Sequence, residues 1–416
     1  MSYSEQLLDA IQAHQFDRNL TLLKLALAND TPEILASLAD NLVDLGFTDL
    51  AKAVYRALIA QYPDEDLFKV YLAEILLNDG ADDDALSLLY GVSKASDAYL
   101  DSLLIQADYY QNNGLIEPAR AKLLVAHKMA PDEDAIKFGM AELDFMSGDY
   151  DEALGLYEEL VKRQASFGEV NLHERHFETL AKLGRYEEAA QVIAAHETDL
   201  IDIDSQYQAG LVELAAGKTA LALKYLNQVL VQSPDYVAAY PLLAQAYQRQ
   251  HDSEQVLRTA QAGLAYNELD ELLYHLGAQA ASQLGETDTA VQLLTRGLKV
   301  NPDNSQLLLQ LSNLYIQTHQ YQANLDLLKP LADDQIEPRL RFNLAQSYEA
   351  LDDRNQAKTA YLLAYQRLQG DAGFLKRMIL FFRTLADTRS LVQELLRKYL
   401  KLVPTDEAML ALQAED

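Results

Sequence analysis

The run His173-Glu174-Arg175-His176 sets two imidazoles around a carboxylate, the residue types from which a hydrolytic metal centre is made. A helical centre of that kind needs its histidines four residues apart, so that both face one side with the glutamate as base. Here they are three apart, and no third ligand is evident. Acidic pairs such as Asp83 and Asp84, or Glu158 and Glu159, could supply an acid and a base, but on amphipathic helices such pairs form the solvated face. The glycines fall singly, which leaves no phosphate-cradling loop, and there is no GxSxG turn to present a nucleophilic serine. The chain has no cysteine, which removes thiolate ligands, thiol catalysis and a disulfide framework together. No catalytic, cofactor or metal site is expected.

Charge narrows the choice of partner. The 416 residues include 63 acidic and 34 basic side chains, a net charge of −29. Residues 1–200 carry 37 acidic against 15 basic groups, a balance of −22, while residues 201–416 carry 26 against 19, a balance of −7. Such a field repels nucleic acid and anionic membrane. The N-terminal stretch MSYSEQLLDAIQ lacks a basic start followed by an apolar run, so no signal peptide is expected. No uncharged apolar stretch reaches the roughly 18 residues that span a bilayer. Membrane insertion is not expected, and a cytoplasmic location is.

The elements that hold these side chains emerge from self-similarity. GDYDEALGLY at 148–157 returns as GRYEEAAQVI at 184–193, and aligning on that phrase reveals units beginning near residues 32, 66, 100, 134, 170, 203, 237, 271, 305, 338 and 373. Position eight is small (Ala39, Ala73, Ala107, Ala141, Gly210, Ala244, Ala278, Ser312, Ala345). Position twenty is alanine in eight units, from Ala51 to Ala357. Position fifteen is glycine at Gly46, Gly80, Gly114, Gly148, Gly184, Gly217 and Gly285, and Pro-Asp closes several units. Apolar residues at steps of three and four around these markers predict two amphipathic helices per unit. The glycine ends the first helix in a left-handed turn, the small residues let the two helices cross closely, and the Pro-Asp aspartate is a candidate cap for the next helix.

This pattern resembles the tetratricopeptide repeat (TPR) family, a 34-residue helix-turn-helix unit with small residues at positions eight and twenty, aromatics at eleven and twenty-four and proline at thirty-two. Tyr110, Tyr247, Tyr315 and Tyr348 fit position eleven, and Tyr55, Tyr157 and Tyr361 fit position twenty-four. In overall character the chain is similar to the multi-repeat cytoplasmic TPR proteins of Gram-positive bacteria. The resemblance implies an all-α, right-handed α-solenoid superhelix that acts without catalysis by binding protein or peptide along a concave wall of first helices. The expected organisation is a degenerate helix pair at 1–31, four units with an acidic groove at 32–169, an irregular unit at 170–202, six units at 203–404 and a capping segment at 405–416. The fifth positions Ala36, Val70, Leu104 and Phe138 lack the basic clamp that chaperone-binding members use for a C-terminal carboxylate.

The resemblance places position nine on the concave wall. Down the chain it reads Asp40, Glu74, Asp108, Glu142 and Glu178, then Leu211, Gln245, Gln279, Asn313 and Gln346. Position thirteen adds Asp44, Asn78 and Asn112, with Gln283 and Gln317 later. Five carboxylates in succession would attract an extended basic segment of a partner protein, and the later amides would donate to and accept from a peptide main chain. An alternative is a peptide-responsive regulator or sensor. A third arrangement is self-association between the acidic half and the basic end, where Lys376, Arg377, Arg383, Arg389, Arg397, Lys398 and Lys401 oppose only Asp387 and Glu394, beside MILFF. The frame also breaks in places. QASFGEVNLHERHFE lengthens the junction before unit five and Phe177 takes the small position, so that pair is expected to be splayed or shifted, as a change of pitch, a hinge or a docking notch. Pro241 should kink its helix or make it start late. Asn324 and Val392 replace the crossing alanine, so the C-terminal third should be less regular.

Overall fold

Two helices can lie against each other closely only where neither presents more than a methyl group, and this chain supplies such places at a fixed interval. The computed structural model describes residues 1–199, 202–331 and 336–415 and divides into two bodies, Met1–Ile201 and Asp202–Asp416. The first holds α1 (Tyr3–Gln12), α2 (Asn19–Asn29), α3 (Pro32–Asp44), α4 (Thr48–Gln61), α5 (Leu67–Asn78), α6 (Asp82–Tyr90), α7 (Tyr99–Asn112), α8 (Ile116–Met129), α9 (Asp134–Ser147), α10 (Tyr150–Leu160), α11 (Leu172–Lys182) and α12 (Tyr186–Ala195). The second holds α13 (Ile203–Ala215), α14 (Thr219–Gln232), α15 (Ala239–Arg249), α16 (Ser253–Tyr266), α17 (Glu271–Gln283), α18 (Thr287–Val300), α19 (Ser305–Gln317), α20 (Tyr321–Leu328), α21 (Pro338–Ala350), α22 (Arg354–Leu368), α23 (Ala372–Phe382), α24 (Arg389–Leu402) and α25 (Glu407–Glu415). Within each body most helices pack on their neighbours in sequence. First helices also meet first helices, as α5 on α7 in one body and α13 on α15, α15 on α17 and α19 on α21 in the other.

The crossing residues are sealed. Ala39, Ala73, Ala141, Ala51, Ala85, Ala119 and Ala153 are all 0% exposed in the first body, as are Ala244, Ala278, Ala345, Ala222, Ala290 and Ala357 in the second. At Gly210 an added Cβ would stand 2.8 Å from Leu226 Cγ, so even a methyl group is too large there. The turn is uniform beyond what the glycines suggest. Where position fifteen lacks glycine, His251, His319, Asp352 and Asp387 adopt φ between 57° and 60°, and His14 does so after α1. Histidine and aspartate are among the residues that tolerate this region best. The chain then bonds back in the Schellman pattern, Gly46 N–H to Val43 O at 2.9 Å and Phe47 N–H to Leu42 O at 2.7 Å.

Several expectations need correction or refinement. The Pro-Asp aspartates are not the caps: Asp303 lies in the turn and Asn304 Oδ1 accepts the Leu307 N–H at 3.0 Å, as Asp270 does for Leu273. Pro241 resolves as a late start, because α15 begins at Ala239 and puts the proline in the first turn, where no intrahelical N–H bond is lost. Asn324 is fully buried and donates to Asn343 O and to Ser347 Oγ (2.8 Å), so a polar contact replaces the methyl crossing, and α20 is only eight residues long. Four of the five MILFF residues are core, since Met378, Ile379 and Phe382 are 0% exposed and Phe381 3%, while Leu380 is 40% exposed. Around it Lys376 pairs with Asp406 at 2.8 Å, Arg377 with Glu349 at 2.9 Å and Lys398 with Glu394 at 3.0 Å, which answers much of the basic cluster locally.

The lengthened junction before α11 is a β-hairpin, an element helical periodicity did not announce. β1 (Ser166–Phe167) pairs antiparallel with β2 (Val170–Asn171), and Gly168 at φ 57° takes the first turn position, as a two-residue hairpin loop of this kind requires. Phe167 stacks on Phe138 with ring centroids 4.6 Å apart, and Asn171 caps α11 by accepting the His173 and Glu174 N–H groups. Phe177 is buried.

Two stability measurements follow. Ala153→Leu should overpack the α9–α10 crossing and cost roughly 1 to 3 kcal/mol, read as a lower melting temperature; an unchanged melt would mean that the close approach is not a constraint. Glu213 sits at position eleven of unit six, 0% exposed, with no hydrogen bond to either carboxylate oxygen among the described residues and Lys218 Nζ at 3.7 Å. Burial raises its pKa, with Lys218 opposing only in part. A raised carboxyl contributes most at low pH, and that contribution is lost as pH rises through the folded-state value. Glu213→Leu should therefore stabilise the protein by roughly 1 to 3 kcal/mol at pH 7, with the advantage shrinking as pH falls toward the ordinary carboxylate range. No gain at pH 7 would refute it.

Candidate functional site

Position nine falls on the wall where successive first helices face one another. Between α3 and α5 a hollow of about 200 Å³ is lined by Asp40, Asp44, Glu74 and Asn78 with Tyr55 and Tyr71. Between α5 and α7 a second, of about 310 Å³, is lined by Glu74, Asn78, Asp82, Asp108, Tyr109 and Asn112. Glu74 and Asn78 border both. Six of the twelve candidate residues thus come together in two adjoining hollows, with amides beside the carboxylates.

The carboxylates are not equivalent. Tyr55 donates its hydroxyl to Asp40 at 2.5 Å, and Tyr157 donates to Glu142 at the same distance. Each tyrosine reaches across its own repeat from position twenty-four to position nine. Burial first, and the adjacent carboxylate second, push both phenols far above their usual range. Glu142 and Glu178 are further engaged by Arg175, at position six of unit five. Its Nε and Nη2 donate to Glu142 at 3.0 and 3.3 Å, and its Nη1 donates to Glu178 at 3.0 Å. The guanidinium also lies 5.5 Å from the centre of the Phe145 ring. Burial works against Arg175's charge, but the two carboxylates outweigh it and its pKa is raised. Glu178 is shifted up by its own burial, with Arg175 opposing. Among the described residues, no cation pairs with Glu74 or Asp108, and desolvation raises the Asp108 carboxyl. The uniform five-rung ladder expected from position nine is therefore three accessible rungs followed by two that share the guanidinium of Arg175.

In the second body position nine is uncharged. A hollow of about 250 Å³ between α15 and α17 contains Gln248, Gln279 and Gln283, with Gln248 Nε2 donating to Gln279 Oε1 at 2.9 Å and Ser253 to Gln283 at 2.6 Å. Between α19 and α21 about 320 Å³ is lined by Asn313, Gln317, Arg339, Asn343 and Gln346. Asn343 donates to Asn313 Oδ1 at 2.7 Å and accepts from Gln346 at 3.4 Å. Gln245 stands half-buried on α15 and lines neither hollow.

Reading positions nine and thirteen missed Arg175, Tyr109, Asp82 and Gln248. Arg175 had a signal: position six elsewhere reads Tyr71, Ile105 and Gly139, then Gln208, Leu242 and Leu276, and an arginine stands out among them. The HERH run holds no metal geometry among the described residues. His173 stacks on His196 with ring centroids 3.4 Å apart, and His176 approaches Glu158 at 3.9 Å. Among the described residues no helix is long and apolar enough to cross a membrane.

Comparison with known proteins agrees with this architecture. Family models match as YpiA-like tetratricopeptide repeats over residues 111–165, as YpiA-like C-terminal tetratricopeptide repeats over 338–406, and as tetratricopeptide repeats over 37–98, 204–236 and 270–304. The TPR repeat-containing protein YpiA of Bacillus subtilis (strain 168) is 27% identical over 372 residues, covering 89% of this chain and 88% of that protein. Among solved structures, YrrB, a TPR protein with an unusual peptide-binding site, is similar at 15% identity over 45% of this chain and 95% of that one, with a TM-score of 0.40. The APC/C hetero-tetramer Cut9-Hcn1 matches at 14% identity over 100% of this chain and 96% of that one, with a TM-score of 0.37. The chain is a tetratricopeptide-repeat α-solenoid that resembles the multi-repeat TPR proteins of Gram-positive bacteria.

Proposed function

We propose that the chain is a non-catalytic scaffold whose first body holds an extended, basic segment of a partner protein against α3, α5 and α7. The observation that carries this reading is the pair of adjoining hollows in which Asp40, Asp44, Glu74 and Asp108 stand beside Asn78 and Asn112. Carboxylates attract the cationic side chains, and each asparagine offers both a donor and an acceptor to the main chain between them. The Tyr55 hydroxyl fixes the rotamer of Asp40, so that rung is pre-ordered and loses little side-chain freedom on binding. In the second body the amide-lined hollows suit the backbone of an extended peptide without regard to charge.

Reversing one carboxylate about 6 Å from a bound cation replaces an attraction of about 0.7 kcal/mol in water by an equal repulsion, which is roughly tenfold in affinity. Glu74→Lys and Asp108→Lys together should therefore weaken binding of a fluorescent oligo-arginine peptide by about a hundredfold, with the helical circular-dichroism signal unchanged. Wild-type binding should also weaken steeply between low and physiological salt. Equal affinity of wild type and double variant would reject the groove as the site.

A further inference from the structure

Arg175 stands where a partner's arginine would stand. It lies on α11 between two position-nine carboxylates of successive repeats, forked onto Glu142 and singly bonded to Glu178, over the ring of Phe145. These are the groups that recognise a guanidinium in a binding site: two parallel N–H donors to one carboxylate, a third to another and an aromatic face beneath. The equivalent slot one repeat earlier holds Gly139 and the one before that Ile105, neither of which carries a charge. Arg175 is 31% exposed, so solvent and a competitor can reach it. The hairpin fixes its place, because the Phe167–Phe138 stack ties β1 to α9 and Asn171 caps the helix that carries the arginine.

We propose that Arg175 is a built-in counter-ligand: it closes the acidic wall at Glu142 and Glu178 by occupying those two rungs in cis, and confines a bound basic segment to the rungs from Asp40 to Asp108. The inference rests on the acidic wall being the binding surface. It makes Arg175 a specificity-determining residue, setting how many cationic side chains the wall accepts and leaving the Glu142 and Glu178 rungs to a partner arginine only by displacement. Glu142 keeps its Tyr157 hydrogen bond throughout, so the vacated carboxylate remains held in place.

The test is titration of a fluorescein-labelled hexa-arginine peptide into the full-length protein by fluorescence anisotropy across a salt series, with thermal melts to confirm folding. Arg175→Gln should tighten binding about tenfold and steepen its salt dependence. Arg185→Gln removes the same charge from an exposed pair with Glu188 on a neighbouring helix, and should change affinity less than twofold on the order of a screened surface effect. Adding Glu142→Gln to Arg175→Gln should return affinity toward wild type, which a general loosening of the fold would not do. Should Arg175→Gln melt early, Arg175→Lys keeps the charge but can satisfy only one carboxylate and should bind between wild type and the glutamine variant. If Arg175→Gln behaves like Arg185→Gln while Glu74→Lys and Asp108→Lys abolish binding, the counter-ligand is overturned and the groove stands. If neither wild type nor any variant binds the peptide, the groove itself is overturned.

Discussion

The closest approach of two helices is limited by the side chains between them, and the structure is a consequence of meeting that limit at regular intervals. Alanine at two fixed places brings α9 and α10, or α17 and α18, together so tightly that the methyl groups vanish from the surface. That nearness obliges the connecting turn to be short, which forces one residue per repeat into the left-handed region. Glycine meets that need in seven repeats and histidine or aspartate in the rest, at some backbone strain. The constraint is geometric before it is chemical, since the turn keeps its shape when its preferred residue is missing.

Once the crossings are set, the remaining faces acquire roles by default. The second helices and the buried side of the first helices make the core, and position nine is left facing the neighbouring first helix across a hollow. A carboxylate there does two jobs. Asp40 and Glu142 anchor the hydroxyls of Tyr55 and Tyr157, which would otherwise be buried donors without a partner, and they keep further lone pairs for other donors. A side chain that completes the core therefore also furnishes the wall. This coupling gives a structural reason for acid at that position independent of any partner, and it is why charge at position nine alone is a weak argument for binding. The stronger evidence is the company the carboxylates keep, Asn78 and Asn112 in the same hollows and no cation beside Glu74 or Asp108 among the described residues.

The fold was legible because it rests on residue size, which a sequence displays directly. Ala153, Gly148 and their equivalents announce the crossing and the turn, and both stand where the periodicity puts them. The caps were less legible, since Pro-Asp pointed to Asp303 while Asn304 does the capping, and one residue of phase is below what periodicity resolves. The hairpin escaped because two-residue strands leave no alternation to detect, although Gly168 between Phe167 and Val170 is a turn signal in hindsight. At the site, position nine located the wall but not its electrostatic state. Whether Glu142 is available depends on Arg175, thirty-three residues away in the chain, and the pairing exists only because successive first helices lie side by side.

The difference between the two bodies' walls is one of energy as well as charge. A carboxylate wall attracts at a distance and speeds encounter, but it discriminates poorly among basic segments because exposed charges interact through water and are screened. An amide wall attracts nothing from afar. Its groups are already bonded to one another, Gln248 to Gln279 and Asn343 to Asn313, so a peptide must exchange those bonds for its own and gains only the difference. Each of these bonds uses one site of an amide: Gln279 and Asn313 accept through their carbonyls and keep both N–H donors for other partners, whereas Gln346 gives one N–H and keeps its carbonyl. Donors and acceptors thus persist along the amide wall in the mixture that a main chain presents, while the acidic wall offers acceptors and the two asparagines. Recruitment and registration are different physical tasks, and the proposed scaffold role assigns them to different residue types.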